Sequence, residues 1–227
     1  TRSYEQARRV VAAAERAGVV LAEGFMYRHH PQTAVLADMV AGGRIGRLER
    51  IAARFAFTAD RGEDAVLFDP GLDGGALLDV GCYCVSAARL LAGEPTHATA
   101  RTVAGPTGVD LRFEATLEFE QGAVGELTSA LDLPDDAGLV VTGSRTTATV
   151  GDPWHCLARG IALGDGEQVA IAAADPYRLQ LEDFAAAVHE SRPALVSGAE
   201  IVGQARTLQA LIESARLGGT RIAATVA

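Results

Sequence analysis

Leu111-Arg112-Phe113-Glu114-Ala115-Thr116-Leu117-Glu118-Phe119-Glu120 alternates apolar and polar side chains without a break. Successive strand residues point to opposite faces. Leu111, Phe113, Ala115, Leu117 and Phe119 are therefore expected to face a core, with Arg112, Glu114, Thr116, Glu118 and Glu120 facing water or a partner. Gln121-Gly122 follows and leads into Ala123 to Leu131, which predicts an antiparallel hairpin. Further strands are predicted at Thr96 to Ala104, Leu139 to Thr142, Thr146 to Val150 and Val169 to Ala172. Another is predicted at Arg50 to Thr58, where Ile51, Ala53, Phe55 and Phe57 share a side. Such a series, uninterrupted by helices, predicts an open, predominantly antiparallel sheet and not a doubly wound unit.

Helices are predicted on either side of this series. Ser3-x-x-Gln6 has capping-box form, Ala7, Val10, Val11 and Ala14 follow at helical spacing, and Gly18 supplies the stop. Val19 to Phe25 then has the composition of a short buried strand. Pro31 suits the first turn of a second helix with Leu36, Met39 and Val40 on its apolar face, ended by Gly42-Gly43. Near the C-terminus, Asp175-Pro176 can cap a helix in which Leu181, Phe184, Ala185 and Val188 share a face. Ser197-x-x-Glu200 can cap the last, with the stripe Ile201, Ala205, Leu208, Ile212 and Ala215. Both are expected to pack on the core. The fold class is thus α+β, with helices on one face of the sheet.

The stretch that carries chemistry is Gly74-Gly75-Ala76-Leu77-Leu78-Asp79-Val80-Gly81-Cys82-Tyr83. In a helix, residues four apart stack on one face, so Asp79 and Tyr83 would stand together. A carboxylate beside a phenol can orient an alcohol and pass a proton to or from it, as carbonyl and alcohol redox chemistry requires. The same spacing also suits a capping or paired Asp79 and a core-anchoring Tyr83.

Gly74 to Glu94 resembles the active-site helix of the glucose-fructose oxidoreductase, inositol dehydrogenase and MocA-like family. Ala22-Glu23-Gly24-Phe25-Met26-Tyr27-Arg28-His29-His30-Pro31-Gln32 resembles the segment that leaves the last strand of that family's dinucleotide domain, in its xylose and dihydrodiol dehydrogenase form. Thr1 to Gly18 is similar to the helix before that strand, and Tyr177 to Ile222 to the terminal helices. The resemblance implies that residues 1–29 are the last helix and strand of a truncated Rossmann domain, with residues 30–227 a substrate-binding and oligomerisation domain. It implies catalytic roles for Tyr83 and Asp79, and cofactor contacts from Met26, Tyr27 and Arg28. It also implies substrate contacts from Tyr27, His30, Asp79 and Tyr83. Tyr27 and Arg28 suit a stack at the domain junction with ordinary hydrogen bonds equally well.

Two family features are missing. No G-x-G-x-x-G occurs, and all twenty basic residues are arginine, so the lysine of the family's Glu-Lys-Pro motif has no counterpart. The resemblance therefore implies the C-terminal portion of a longer enzyme, inactive by itself. The complete enzyme would transfer a hydride between NAD or NADP and a sugar, polyol or diol, or the matching carbonyl compound. The competing class is a non-enzymatic ligand-binding or dimerisation domain that keeps the fold.

Composition narrows the partners. A net charge of -9 with scattered arginines argues against a phosphate backbone, so nucleic acid is not an expected partner, while a small-molecule substrate is what the resemblance implies. The apolar runs read as shorter than a membrane span. Three cysteines do not make a disulfide framework, which suits a reducing cytoplasm. Cys82, Cys84, His155 and Cys156 lack a recognised zinc-ligand spacing, so no metal is expected. A sheet with one face free of helices predicts a homodimer or higher homo-oligomer through that face.

Overall fold

The computed structural model describes residues 3–59, 66–157 and 160–225. Helix α1 (Tyr4–Ala17) starts at Ser3, whose side chain accepts from the Gln6 N–H, and stops at Gly18 in the left-handed conformation. A 3-10 turn at Met26–His29 leads into α2 (Pro31–Ala41). The sheet then begins with β1 (Leu48–Thr58). A π-helical turn at Leu77–Gly81 runs directly into α3 (Cys82–Ala92). The strands β2 (Pro95–Ala104), β3 (Asp110–Phe119), β4 (Val124–Ala130), β5 (Asp132–Gly143), β6 (Thr147–Val150), β7 (Ile161–Leu163) and β8 (Gln168–Val169) follow. Helices α4 (Pro176–Glu190) and α5 (Gly198–Arg216) and a short β9 (Ile222–Ala223) complete the described chain.

Among the described residues the nine strands form one sheet in the order β8-β7-β6-β5-β1-β4-β3-β2-β9. The β3–β4 hairpin closes through Gly122 at φ +83, with Glu118 opposite Val124. Every neighbouring pair is antiparallel except β1 and β4, where Arg50 lies opposite Val124 and Ala56 opposite Ala130. Parallel neighbours need a crossover, and here the chain between them carries α3, β2 and β3, the last being the hairpin partner of β4. One face, with Ile51, Ala53, Leu117, Leu127 and Val141, is buried beneath α3 and α5. The other face presents cross-strand pairs such as Arg50–Glu126, Arg54–Asp136 and Arg112–Asp132. Exposed pairs of this kind contribute about 0 to 1 kcal/mol each.

Four sequence expectations need correction. Residues 19–25 form no regular element and join no ladder among the described residues, and Val19 is exposed. An apolar run forms a strand only beside a partner, and the Glu23 N–H bonds instead to the Val196 carbonyl. On α4 the stripe expected to pack faces outward: Leu181 is 65% exposed, and Val188 and Phe184 are also on the surface. Ser197 does flank α5, but its side chain makes no capping bond. Finally, the helical stretch Pro70–Ala92 is long and apolar enough to cross a membrane by length and composition. Of that window 72% is buried inside the fold, as in a core helix.

Candidate functional site

The helix that carries Asp79 and Tyr83 has its start fixed by tertiary contacts. Gly75 sits at φ +121, and a Cβ there would fall on Asp110 Oδ1. A Cβ on Gly74 would lie 2.5 Å from the Leu67 carbonyl oxygen. The pair therefore lets the chain pass close to β3 and to the segment before it, a use only glycine permits. Asp110 Oδ2 then accepts from the Leu77 N–H at 2.8 Å, supplying an N-terminal partner from a strand. Burial raises the Asp110 carboxyl above its ordinary range, and the Leu77 and Ala76 N–H groups oppose that shift. The π turn follows, with the Cys82 N–H bonding to the Leu77 carbonyl. Single π turns occur frequently at functional sites.

Tyr83 emerges from this helix into a wall of aromatic rings. Its centroid is 5.2 Å from Phe25, 5.5 Å from Phe55, 5.8 Å from Tyr27 and 6.1 Å from Trp154. Its hydroxyl lies 3.6 Å from the Met26 sulfur. Burial pushes the phenol up to about 12, with Cys82, Tyr177 and Asp79 adding repulsion. Tyr83 is only half-buried. Asp79 is likewise half-buried, one turn earlier on the same helix. The neighbouring thiols do not compete for chemistry, since burial raises Cys82 and Cys156 to about 12 and keeps them protonated. Among the described residues no three His, Cys, Asp or Glu side chains converge as a metal site would require.

Other residues singled out in the sequence are placed differently. Tyr27 is 1% exposed, and its hydroxyl donates to Ser86 Oγ at 2.8 Å. Arg28 is buried beside it and reaches Ser86 Oγ and Glu200 Oε2. Both have polar atoms turned into the protein. His30 is 2% exposed and caps α2, its Nδ1 accepting from the Gln32 N–H at 3.2 Å. Burial lowers the His30 pKa, so the ring is neutral. Met26 alone of this group touches Tyr83 Oη.

Phe25, Phe55 and Trp154 were not anticipated as site residues. Trp154 is fully buried, stacks on Phe55 at 5.8 Å and donates to the Arg54 carbonyl at 2.7 Å. The available signal was the lone tryptophan beside His155 and Cys156, in a segment weighed only as a zinc site. A half-exposed neutral phenol against a desolvating aromatic wall, with a carboxylate one turn away, can donate a proton to a carbonyl oxygen and orient an adjacent hydroxyl.

Comparison with known proteins converges on one family. The family model described as GFO/IDH/MocA C-terminal domain matches residues 33–149. The chain is 37% identical over 226 residues to the D-xylose 1-dehydrogenase (NADP(+)) 2 of Haloferax volcanii, covering 96% of this chain and 69% of that protein. Among solved structures it resembles a 3-ketoreductase from Actinomadura kijaniata in complex with NADP and TDP-benzene. That match has a TM-score of 0.87 and 26% identity, with coverage of 94% and 68%. The aldose-aldose oxidoreductase of Caulobacter crescentus shares the fold at TM-score 0.89 and 21% identity, with coverage of 98% and 69%.

Proposed function

The chain belongs to the GFO/IDH/MocA family, and we propose on that footing that it forms the substrate side of an NADP-dependent oxidoreductase. The substrate is a sugar, keto sugar, polyol or diol, as the names of its relatives suggest. The observation that carries this reading is Tyr83: a phenol held neutral by burial, with its hydroxyl beside Met26 on an aromatic wall. In the reductive direction Tyr83 Oη gives its proton to the carbonyl oxygen, while Asp79 orients a neighbouring hydroxyl. In the oxidative direction a phenol at about 12 is too weakly acidic to act alone at neutral pH. It then needs a cation close by to stabilise the phenolate.

The residues present fit only the reacting end of the cofactor. Met26 and Tyr83 lie together just after segment 19–25, which by the family resemblance corresponds to the last strand of a nucleotide-binding domain, and in such open α/β sheets ligands bind beyond the strand ends. Nothing in the sequence fits a pyrophosphate, since no G-x-G-x-x-G is present. Bound NADP would supply the hydride; the chain supplies the proton, the orienting carboxylate and a dry surface. On this reading residues 1–29 complete a nucleotide-binding domain, and the 227-residue chain without the rest of that domain is inactive. The charged outer face of the sheet is the proposed surface for self-association, and three free thiols suit a reducing cytoplasm.

The test is turnover by the complete enzyme of NADPH with keto sugars and of NADP+ with aldoses and diols, with Tyr83→Phe run alongside. The mutant is expected to lose about 100-fold or more in kcat while still binding NADP. Undiminished activity in Tyr83→Phe would remove Tyr83 from the mechanism, and no turnover on any substrate would remove the enzyme reading.

A further inference from the structure

Asp152 organises the loop between β6 and β7 with both carboxylate oxygens. Oδ1 accepts from the His155 N–H at 3.1 Å, and Oδ2 accepts from the Leu157 N–H at 2.9 Å. The Asp152 carbonyl accepts from Gln32 Nε2 at 3.2 Å, tying the loop to α2. Trp154 is sunk into the core, and Cys156 is buried at φ +61, a left-handed conformation uncommon outside glycine. Non-glycine residues persist there when the surroundings over-determine them, and such strain clusters at functional sites.

Between these two buried residues, His155 is held outward. Its side chain is 54% exposed, and its ring stands edge-on to Phe55 at 5.4 Å and 88°. Phe55 in turn touches Tyr83. His155 is therefore two ring contacts from the proposed proton donor, on a loop anchored at both flanks. His155 Nδ1 lies 3.3 Å from Asp152 Oδ1. A neutral imidazole that donates from Nδ1 to a carboxylate keeps a lone pair on Nε2, directed away from that carboxylate.

We infer that His155 is a specificity-determining residue whose Nε2 accepts a hydrogen bond from a substrate hydroxyl remote from the reacting carbon. Asp152 is its positioning residue. This rests on the proposed function, and it narrows the substrate to a polyhydroxylated chain or ring long enough to reach from Tyr83 across Phe55. A simple ketone or a short diol has no group to offer His155.

The experiment compares kcat/KM of the complete enzyme for its aldose or keto sugar with kcat/KM for deoxy analogues that each lack one remote hydroxyl. His155→Leu should lower kcat/KM for the parent sugar roughly tenfold, mainly through KM, the size of one hydrogen bond. The same substitution should change nothing for one particular deoxy analogue, which already lacks that bond. His155→Gln, which keeps an acceptor, should recover part of the loss. The NADP KM and the thermal midpoint should stay at wild-type values, as a merely structural residue would not allow. Equal losses across all analogues, or no loss on the parent, would overturn the assignment of His155 alone. A wild type inactive on every polyhydroxylated substrate would overturn both this contact and the enzyme reading.

Discussion

The Leu77 N–H donates to Asp110 Oδ2 at 2.8 Å, so the helix bearing the proposed proton donor begins on a carboxylate borrowed from a strand. The sheet and the site helix are therefore fixed to each other at one point. Removing the acceptor with Asp110→Ala should cost about 1 kcal/mol, the usual price of a lost N-terminal cap. Gly75→Ala should cost more, about 2 to 3 kcal/mol, because it adds backbone strain at φ +121 to a clash with the same carboxylate. Denaturant titration of the two variants gives the ranking, and Asp110→Ala proving the more damaging would contradict the steric account.

Glu23 supplies a pH dependence with a defined sign. Burial raises its carboxyl to about 6 from 4.5, against the pull of Arg89 and Arg28. A carboxyl raised in the folded state favours folding while protonated. Its contribution is full below 4.5 and is lost as pH rises through 6. The difference of about 1.5 units corresponds to roughly 2 kcal/mol. Glu23→Gln, neutral throughout, should match the wild type near pH 4.5 and exceed its stability by up to that amount at pH 7.5. Urea unfolding at the two pH values measures the difference, and a gap independent of pH would rule out this origin.

Tyr27→Phe separates packing from cofactor contact. The buried hydroxyl donates to Ser86 Oγ, and its loss should lower stability by about 1 kcal/mol. In the complete enzyme NADP affinity should be unchanged, as measured by fluorescence titration. A tenfold loss of affinity with normal stability would instead make Tyr27 a cofactor ligand.

Arg89 is the most enclosed cation of the helical layer, with its side chain 2% exposed. It binds Glu94, the Gln204 side chain and the Glu200 carbonyl, and Gly203 leaves the room its guanidinium occupies. Arg89→Met should cost about 2 kcal/mol, less than breaking a fully buried pair because Glu94 keeps access to water. Thermal unfolding of Arg89→Met beside Glu94→Gln checks this, and the glutamine variant should be the milder.

The strands that carry their own signal were legible: the alternation from Leu111 to Phe119 and the Gly122 turn locate β3 and β4 within a residue. What local pattern could not give was partnership. Nothing in Arg50 to Thr58 says that β1 lies parallel to β4, because that pairing depends on the path taken between them. The strands β7 and β9 are too short for alternation to register, and of the strand expected at Val169 to Ala172 only Val169 lies in β8. The outward stripe of α4 looks like any core stripe, since periodicity reports that a face is apolar and not what covers it. At the site, Asp79 and Tyr83 were visible as a spaced pair. Phe25, Phe55 and Trp154 were not, because a wall assembled from three distant segments leaves no local spacing to read.

The π turn at Leu77–Gly81 makes the site sensitive to length in a way that side-chain exchange does not test. One extra residue is accommodated between the end held by Asp110 and the helix that follows, so the two ends are out of step with a plain α ladder. Deleting Val80 would let the turn close into ordinary α form. The Asp79–Tyr83 spacing would then fall from four residues to three, changing the offset between the two side chains. Residues three apart still share a helix face, so both side chains of the pair would survive on one side of the helix, yet the carboxylate and the phenol would meet a substrate at a different offset. Part of the chemistry here is thus encoded in phase, as a count of residues and not as their identities.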